Sequence, residues 1–375
     1  MQDKLACFKS YDIRGKVPDE LNEEMAYSLG RAYSTEISPQ GPVVVGHDVR
    51  ETSAPLSEAL IRGLNDAGTD TRDIGMCGTE MIYFGAARSG MGGGIMVTAS
   101  HNPMEYNGMK LVREEAIPLS GDTGLKDLER RVREKDLGPP ADSKGTNRKE
   151  DITEQYIENL LSTVTPENLK PLKLVVNAGN GNAGPFVDAL AEKLPFTFVR
   201  INHEPDSSFP NGIPNPLLEE NQPATSEPVR EHKADAGLAF DGDFDRCFFF
   251  DENGEFVSGY YIVGLFASHI LKKNPGESII HDPRMTWNTI EMVKEAGGTP
   301  VQSKTGHAFV KERMRRENAV YGGEMSAHHY FRRFAYCDSG MIPWLLMMSI
   351  MSTTGKPLSE LIEERRQRYP SSGEI

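Results

Sequence analysis

Three aspartates at alternating positions, in Asp241-Gly242-Asp243-Phe244-Asp245-Arg246, are the residues of this sequence best suited to chemistry. They follow directly on the apolar Leu238, Ala239 and Phe240. In an extended segment alternate side chains share one side, so the three carboxylates form a hard, all-oxygen site. Oxygen donors favour Mg2+, Ca2+ or Mn2+ over zinc. A calcium-binding helix-loop-helix is excluded. Its sixth loop position requires glycine and here holds Arg246, although Glu252 falls at the twelfth. Phe248, Phe249 and Phe250 read as a strand, which sets the triplet between two apolar segments rather than in a solvated acidic loop.

A second group is Thr98-Ala99-Ser100-His101-Asn102-Pro103, at the end of an apolar strand. Its small residues leave the Ser100 hydroxyl accessible, and Pro103 stops the strand. Serine beside histidine suggests nucleophilic catalysis. In an extended chain, however, neighbours point oppositely, so His101 need not be the base of Ser100. Asn107-Gly108-Met109-Lys110 returns a cation toward the same segment. Cations recur at turns: Arg14 in Tyr11-Asp12-Ile13-Arg14-Gly15, Arg246, and Lys304 in Lys304-Thr305-Gly306-His307. Singly these read as surface charges. Gathered with a divalent metal, they supply the charge that phosphoryl transfer requires. In Gly322-Gly323-Glu324-Met325-Ser326-Ala327-His328-His329 the adjacent histidines lack a third ligand at zinc spacing. Glu324 and Ser326, at alternate positions, suit hydrogen bonds to neighbouring sugar hydroxyls.

The elements that must position these residues are short apolar strands at 42–46, 94–98, 172–177, 236–240, 247–250 and 278–281. Helical periodicity appears around Leu56, Leu60, Ile61 and Leu64, and at 186–194, 288–296 and 308–316. The alternation predicts an α/β fold with mixed, mainly parallel sheets and functional loops beyond the strands' carboxyl ends. The irregular stretch 137–150 and a second boundary near 251–259 divide 375 residues into 1–145, 146–255 and 256–370. No short tandem repeat is visible. The apolar run 341–351, interrupted by Pro343, is too short for a bilayer and reads as a buried helix. A net charge of −14 opposes a nucleic-acid surface. Cys7, Cys77, Cys247 and Cys337 form no C-x-x-C pair, and residues 1–10 lack a secretory core, which together favour a reducing cytoplasm.

Residues 11–15, 98–103 with Lys110, 241–246, 304–307 and 323–328 occur in the order seen in α-D-phosphohexomutases, and the chain resembles the phosphomannomutase/phosphoglucomutase type of that family. Phe209-Pro210-Asn211 and Pro214-Asn215-Pro216 resemble its proline-rich loop. The resemblance implies three consecutive α/β domains carrying, in turn, a phosphoserine loop, a metal loop and a sugar loop. It implies a phosphorylated Ser100 whose phosphate completes a Mg2+ site with Asp241, Asp243 and Asp245. Arg14, His101 and Lys110 would surround the transferring group, with Lys110 or His101 moving protons. Tyr11, Arg14, Arg246, Lys304, His307, Glu324, Ser326 and His328 would bind substrate. Hexose 6- and 1-phosphates would interconvert through a hexose 1,6-bisphosphate, which also serves as activator. Met325 resembles the dual mannose/glucose branch, with mannose preferred, and the chain is expected to be a monomer or dimer that binds neither nucleic acid nor membrane. The family's fourth, phosphate-gripping domain has no counterpart in this sequence. The expectation is therefore a fragment or a natural truncation with a weakened distal phosphate grip. The alternatives are a weakly active sugar-phosphate-binding homologue and a metal-dependent sugar phosphatase using Ser100.

Overall fold

The computed structural model describes residues 5–371. The first sheet contains β1 (Ile13–Lys16), β2 (Val43–His47), β3 (Thr71–Met76), β4 (Gly93–Val97), β5 (Tyr106–Arg113) and β6 (Asn147–Lys149), in the order β1-β5-β4-β2-β3-β6. The second contains β7 (Lys173–Asn177), β8 (Thr197–Ile201), β9 (Ala236–Phe240), β10 (Cys247–Phe250) and β11 (Phe256–Val257), ordered β11-β10-β9-β7-β8. The third contains β12 (Ser278–His281), β13 (Thr299–Gln302), β14 (Tyr321–Gly323), β15 (His329–Phe331) and β16 (Cys337–Asp338), ordered β13-β12-β14-β15-β16.

These orders are one plan used three times. A central strand (β2, β7 or β12) has parallel neighbours on both sides. Beyond one of them the sheet turns antiparallel for two more strands. An antiparallel neighbour needs only a short hairpin, whereas a parallel one needs a crossover. The segments 98–105, 241–246 and 324–328 are the three connections at that change of direction, each beyond the carboxyl end of a parallel strand. The repeat that the sequence hides leaves one local trace. His47-Asp48-Val49-Arg50 follows β2 and His281-Asp282-Pro283-Arg284 follows β12. In both, the histidine Nδ1 lies against the aspartate carbonyl, at 2.8 and 2.9 Å. In both, the aspartate carboxylate accepts the arginine N–H, at 3.0 and 2.8 Å.

Helices α1 (Glu23–Ile37), α2 (Ser53–Asp66), α3 (Thr79–Ala86) and α4 (Lys126–Glu134) accompany the first sheet. Val43 and Val45 join the core with Leu29, Leu60 and Leu128, while Val44 faces Gly85 of α3. Covering both faces explains why β2 is apolar at successive positions. Helices α5 (Thr153–Leu161), α6 (Ala183–Ala191) and α7 (Pro223–His232) accompany the second sheet. The third has α8 (Gly259–Lys273), α9 (Trp287–Glu295), α10 (His307–Glu317), α11 (Met341–Thr354) and α12 (Leu358–Arg368). Pro343 does not interrupt α11, because it sits in the first turn, where no backbone N–H has a helical partner. Among the described residues no helix is long and apolar enough to cross a membrane. The stretch 137–150 is not wholly irregular, since β6 within it pairs in parallel with β3.

The chain forms two compact units, one of residues up to Glu154 with Asp206–Ile213, the other of Gln155–Pro205 and the residues from Pro214 onward. In the first unit α1 and α2 approach at two glycines. A Cβ on Gly63 would lie 2.1 Å from the Tyr27 carbonyl oxygen, and one on Gly30 would lie 2.4 Å from that of Leu60. Gly63→Ala should therefore lower stability by about 1–3 kcal/mol, read as a lower urea midpoint at unchanged m-value.

Candidate active site

In the first unit, β4 delivers the chain into a turn rather than an extended end, because Ser100 takes a left-handed φ of 49°. The turn brings the Ser100 hydroxyl to 3.0 Å from His101 Nδ1, so the two neighbours do meet, contrary to the extended-chain expectation. Ser100 is 3% exposed, so its hydroxyl is shielded rather than open. The Thr98 hydroxyl accepts the Ser100 N–H at 2.9 Å and donates to Asp48 Oδ2 at 2.7 Å. Arg14, on β1 opposite Gly108 of β5, donates to Asn102 Oδ1 at 3.0 Å and to Asp12 Oδ2 at 2.7 Å. Lys110 is buried on β5 opposite Met96 of β4 and donates to Thr79 Oγ1 at 3.2 Å, at the start of α3. Tyr11 is half-buried just before β1.

In the second unit, the aspartate segment is also a turn. The Phe244 N–H donates to the Asp241 carbonyl at 3.1 Å, Phe244 has φ 43°, and its ring packs 5.2 Å from that of Phe186. The carboxylates of Asp241, Asp243 and Asp245 thus converge around a bend, not along an extended strand. One oxygen from each lies within 4.8 Å of the others, and the residues are 0%, 0% and 1% exposed. The Arg246 guanidinium meets Asp241 Oδ2 at 3.0 Å and stacks over Phe248 at 5.5 Å. Burial opposes its charge, but Asp241, Asp245 and Asp243 hold its pKa above the usual arginine value. Three buried carboxylates converged on one point form an all-oxygen donor set that fits a hard divalent cation.

The 324–328 turn, closed by the Glu324 N–H donating to the His328 carbonyl at 2.9 Å, is tied to its surroundings through carboxylates. Glu324 accepts the Gly306 N–H at 2.7 Å and the Tyr330 hydroxyl at 2.5 Å, which joins the 304–307 and 323–328 motifs. Asp282 accepts the Met325 N–H at 3.0 Å. Ser326 is half-buried in the turn, and Lys304 is exposed over Phe309 at 5.7 Å. His328 Nδ1 lies 2.9 Å from Asp338 and 3.9 Å from Asp245, linking this turn to the aspartate loop. Lys311 completes the network, 2.7 Å from Asp338 and 3.4 Å from His307 Nδ1. Burial disfavours the His328 charge, yet Asp245 and Asp338 keep its pKa above the ordinary histidine value. Asp245, His328 and Asp338 also lie close enough to hold a cation. Lys311 and His328 already neutralise Asp338, however, so this cluster is an ion-pair network. The neighbouring His329 has a different fate. Burial, then the charge of His328, pulls it down to about 3, and it bonds the Tyr321 hydroxyl at 2.7 Å inside the core.

Asp48, Arg50, Asp282, Lys311, Tyr330 and Asp338 escaped the sequence reading. A signal existed for Asp48, Arg50 and Asp282, which stand just past apolar parallel strands. Lys311 and Asp338 meet only through the tertiary fold.

Comparison with known proteins decides the family. Models described as phosphoglucomutase/phosphomannomutase, alpha/beta/alpha domains I, II and III match residues 6–138, 154–254 and 258–369. The chain belongs to the phosphoglucomutase/phosphomannomutase family. Relatives of this phosphohexomutase include a Xanthomonas campestris protein named "Phosphohexose mutases", 60% identical over 99% of this chain and 82% of that one. A phosphomannomutase of Escherichia coli K12 is 57% identical over 99% and 83%. A solved phosphoglucomutase/phosphomannomutase family protein from Burkholderia thailandensis superposes with a TM-score of 0.89 at 35% identity, covering 97% and 80% of the two chains.

The buried network of this phosphohexomutase can be probed directly. Lys311→Met leaves Asp338 with one histidine and should cost about 3 kcal/mol in urea denaturation. Lys311→Met with Asp338→Leu should recover most of that loss.

Proposed function

We propose that the chain interconverts hexose 6-phosphates and hexose 1-phosphates, with mannose phosphates preferred, through a phosphorylated Ser100. The observation that carries this reading is the Ser100 hydroxyl held in a strained turn 3.0 Å from His101 Nδ1. Relatives named phosphomannomutase, 57% and 58% identical along 99% or more of the chain, support the same activity. In this reading the chain divides into three domains, 1–145, 146–255 and 256–370, each supported by one of the three loops.

Phospho-Ser100 passes its phosphoryl group to the free hydroxyl of a hexose monophosphate. The Ser100 Oγ–P bond breaks, the sugar O–P bond forms, and the sugar proton passes through His101 or Lys110 to the Ser100 oxygen. The product is a hexose 1,6-bisphosphate. After it reorients, the Ser100 oxygen attacks the other phosphorus, the bond from that phosphorus to its sugar oxygen breaks, and the Ser100 proton passes through His101 to the freed sugar hydroxyl of the isomeric monophosphate. Arg14 is positioned by Asp12 and Asn102 to neutralise phosphoryl oxygens. Asp241, Asp243 and Asp245 would hold Mg2+, which when bound supplies positive charge against the charge developing on the transferring group. Tyr11, Lys304, His307, Glu324, Ser326, His328 and Arg246 serve the sugar phosphate. Both Glu324 oxygens accept one protein bond each, and a carboxylate has further lone pairs for sugar hydroxyls. The buried thiols of Cys7, Cys77, Cys247 and Cys337 fit a cytoplasmic enzyme, which acts as a monomer or dimer.

Phosphorus NMR of mannose 1-phosphate with catalytic hexose 1,6-bisphosphate should show mannose 6-phosphate growing without inorganic phosphate. Inorganic phosphate accumulating instead would identify a phosphatase. Asp243→Asn should keep the circular dichroism of the parent and lose Mg2+ affinity by at least about tenfold in calorimetry, because one of three ligand charges is removed. Parental affinity would place the metal elsewhere.

A further inference from the structure

Ser100 occupies a backbone conformation that an L-residue with a side chain adopts at a cost of about 1–2 kcal/mol, so neighbouring structure must impose it. Arg50 is in a position to do so. It is 3% exposed, and its guanidinium donates to three carbonyls of the 98–105 loop, Ser100 at 3.1 Å, Asn102 at 2.5 Å and Pro103 at 2.9 Å, and to that of Tyr106, where β5 begins, at 3.2 Å. Asp48 secures the loop's other arm through the Thr98 hydroxyl and the Ala99 N–H, and its carboxylate lies 3.6 Å from Arg50 Nε. A planar fork with five donors can serve four carbonyls at once, and a lysine cannot.

The face of this fork is covered from far along the sequence. The Phe209 ring lies 5.6 Å from the Arg50 guanidinium carbon and is 5% exposed. Phe209 holds φ 43°, a costly conformation for a bulky residue, within a turn fixed by its N–H to the Asp206 carbonyl and by the Gly212 N–H to its own carbonyl. The segment Asp206–Ile213 falls inside the interval matched by the second family domain, yet it packs with the first compact unit. A strained aromatic residue that lies within the first unit and lands on a buried guanidinium there is accounted for by that contact. Ring stacking and exclusion of water strengthen the four carbonyl bonds beneath it.

We infer that Arg50 and Phe209 are positioning residues for phosphoryl transfer: Phe209 caps Arg50, and Arg50 holds Ser100 at its reacting angle. The inference rests on the proposed role of Ser100. Removing the cap loosens the angle of the nucleophile without touching sugar-binding residues, so the loss belongs to turnover rather than to substrate affinity.

The test uses the full chain and the variants Phe209→Ala, Phe209→Tyr and Arg50→Lys. Each is incubated with glucose 1,6-bisphosphate, the phosphate on Ser100 is quantified by mass spectrometry, and kcat and KM for mannose 1-phosphate are measured. The parent is read first, because an unphosphorylated parent removes the mutase reading and this inference with it. Given a phosphorylated parent, Phe209→Ala should lower kcat about tenfold or more with KM within about threefold, while Phe209→Tyr, which keeps the ring, restores it. Arg50→Lys, with charge but no fork, should show the same split. Parental kcat in folded Phe209→Ala overturns the cap. If Phe209→Ala does not fold, Arg50→Lys decides, and a parental kcat there overturns the clamp while the mutase reading stands.

Discussion

A carboxylate withdrawn from water costs several kcal/mol unless it is paired, and that constraint organises every functional loop of this protein. Asp48 is satisfied by Thr98, Ala99, Ser53 and the Arg50 N–H, and in being satisfied it fixes the approach to Ser100. Asp282 takes the Met325 N–H and the Arg284 side chain, which fixes the 324–328 turn. Asp241 takes Arg246 and so shapes the aspartate bend. Asp338, held well below the usual carboxylate range against burial by Lys311 and His328, joins that bend to the 324–328 turn. Each tie orders a loop because breaking it would strand a charge.

The ties work because the fold supplies the same vacancy three times. Where a sheet turns from parallel to antiparallel, the connection shortens to a hairpin beside the carboxyl end of the central strand. An acidic residue ending that central strand can then reach the hairpin across one strand spacing. The first and third sheets use this route with the same His-Asp-x-Arg sequence. The second has Asn177 in the corresponding strand and places its acids in the hairpin itself, which turns a clamp into a donor set for a cation.

Much of this was legible in the residues. The strands at 236–240, 247–250 and 278–281 and the helices around residues 186–194, 288–296 and 308–316 were visible because their apolar periodicity is local. The aspartate triplet was visible because all its members are contiguous. Its shape was not, since alternation implied an extended segment and the left-handed Phe244 makes a bend. The Ser100–His101 contact was not legible for the same reason, a single residue of positive φ. The Lys311–Asp338 pair gave no signal, because an isolated lysine on a helix and an isolated aspartate on a two-residue strand are ordinary until the fold buries both. The threefold plan was hidden because sheet order constrains apolar pattern and turn placement, not residue identity.

The central claim is that Ser100 is the group through which the phosphoryl passes. The most direct measurement is to incubate the chain with hexose 1,6-bisphosphate, digest it, and locate the phosphate by mass spectrometry. The account predicts a single acid-stable phosphate on Ser100, discharged when excess mannose 6-phosphate is added. Phosphate on Thr98, or on no residue, would contradict it.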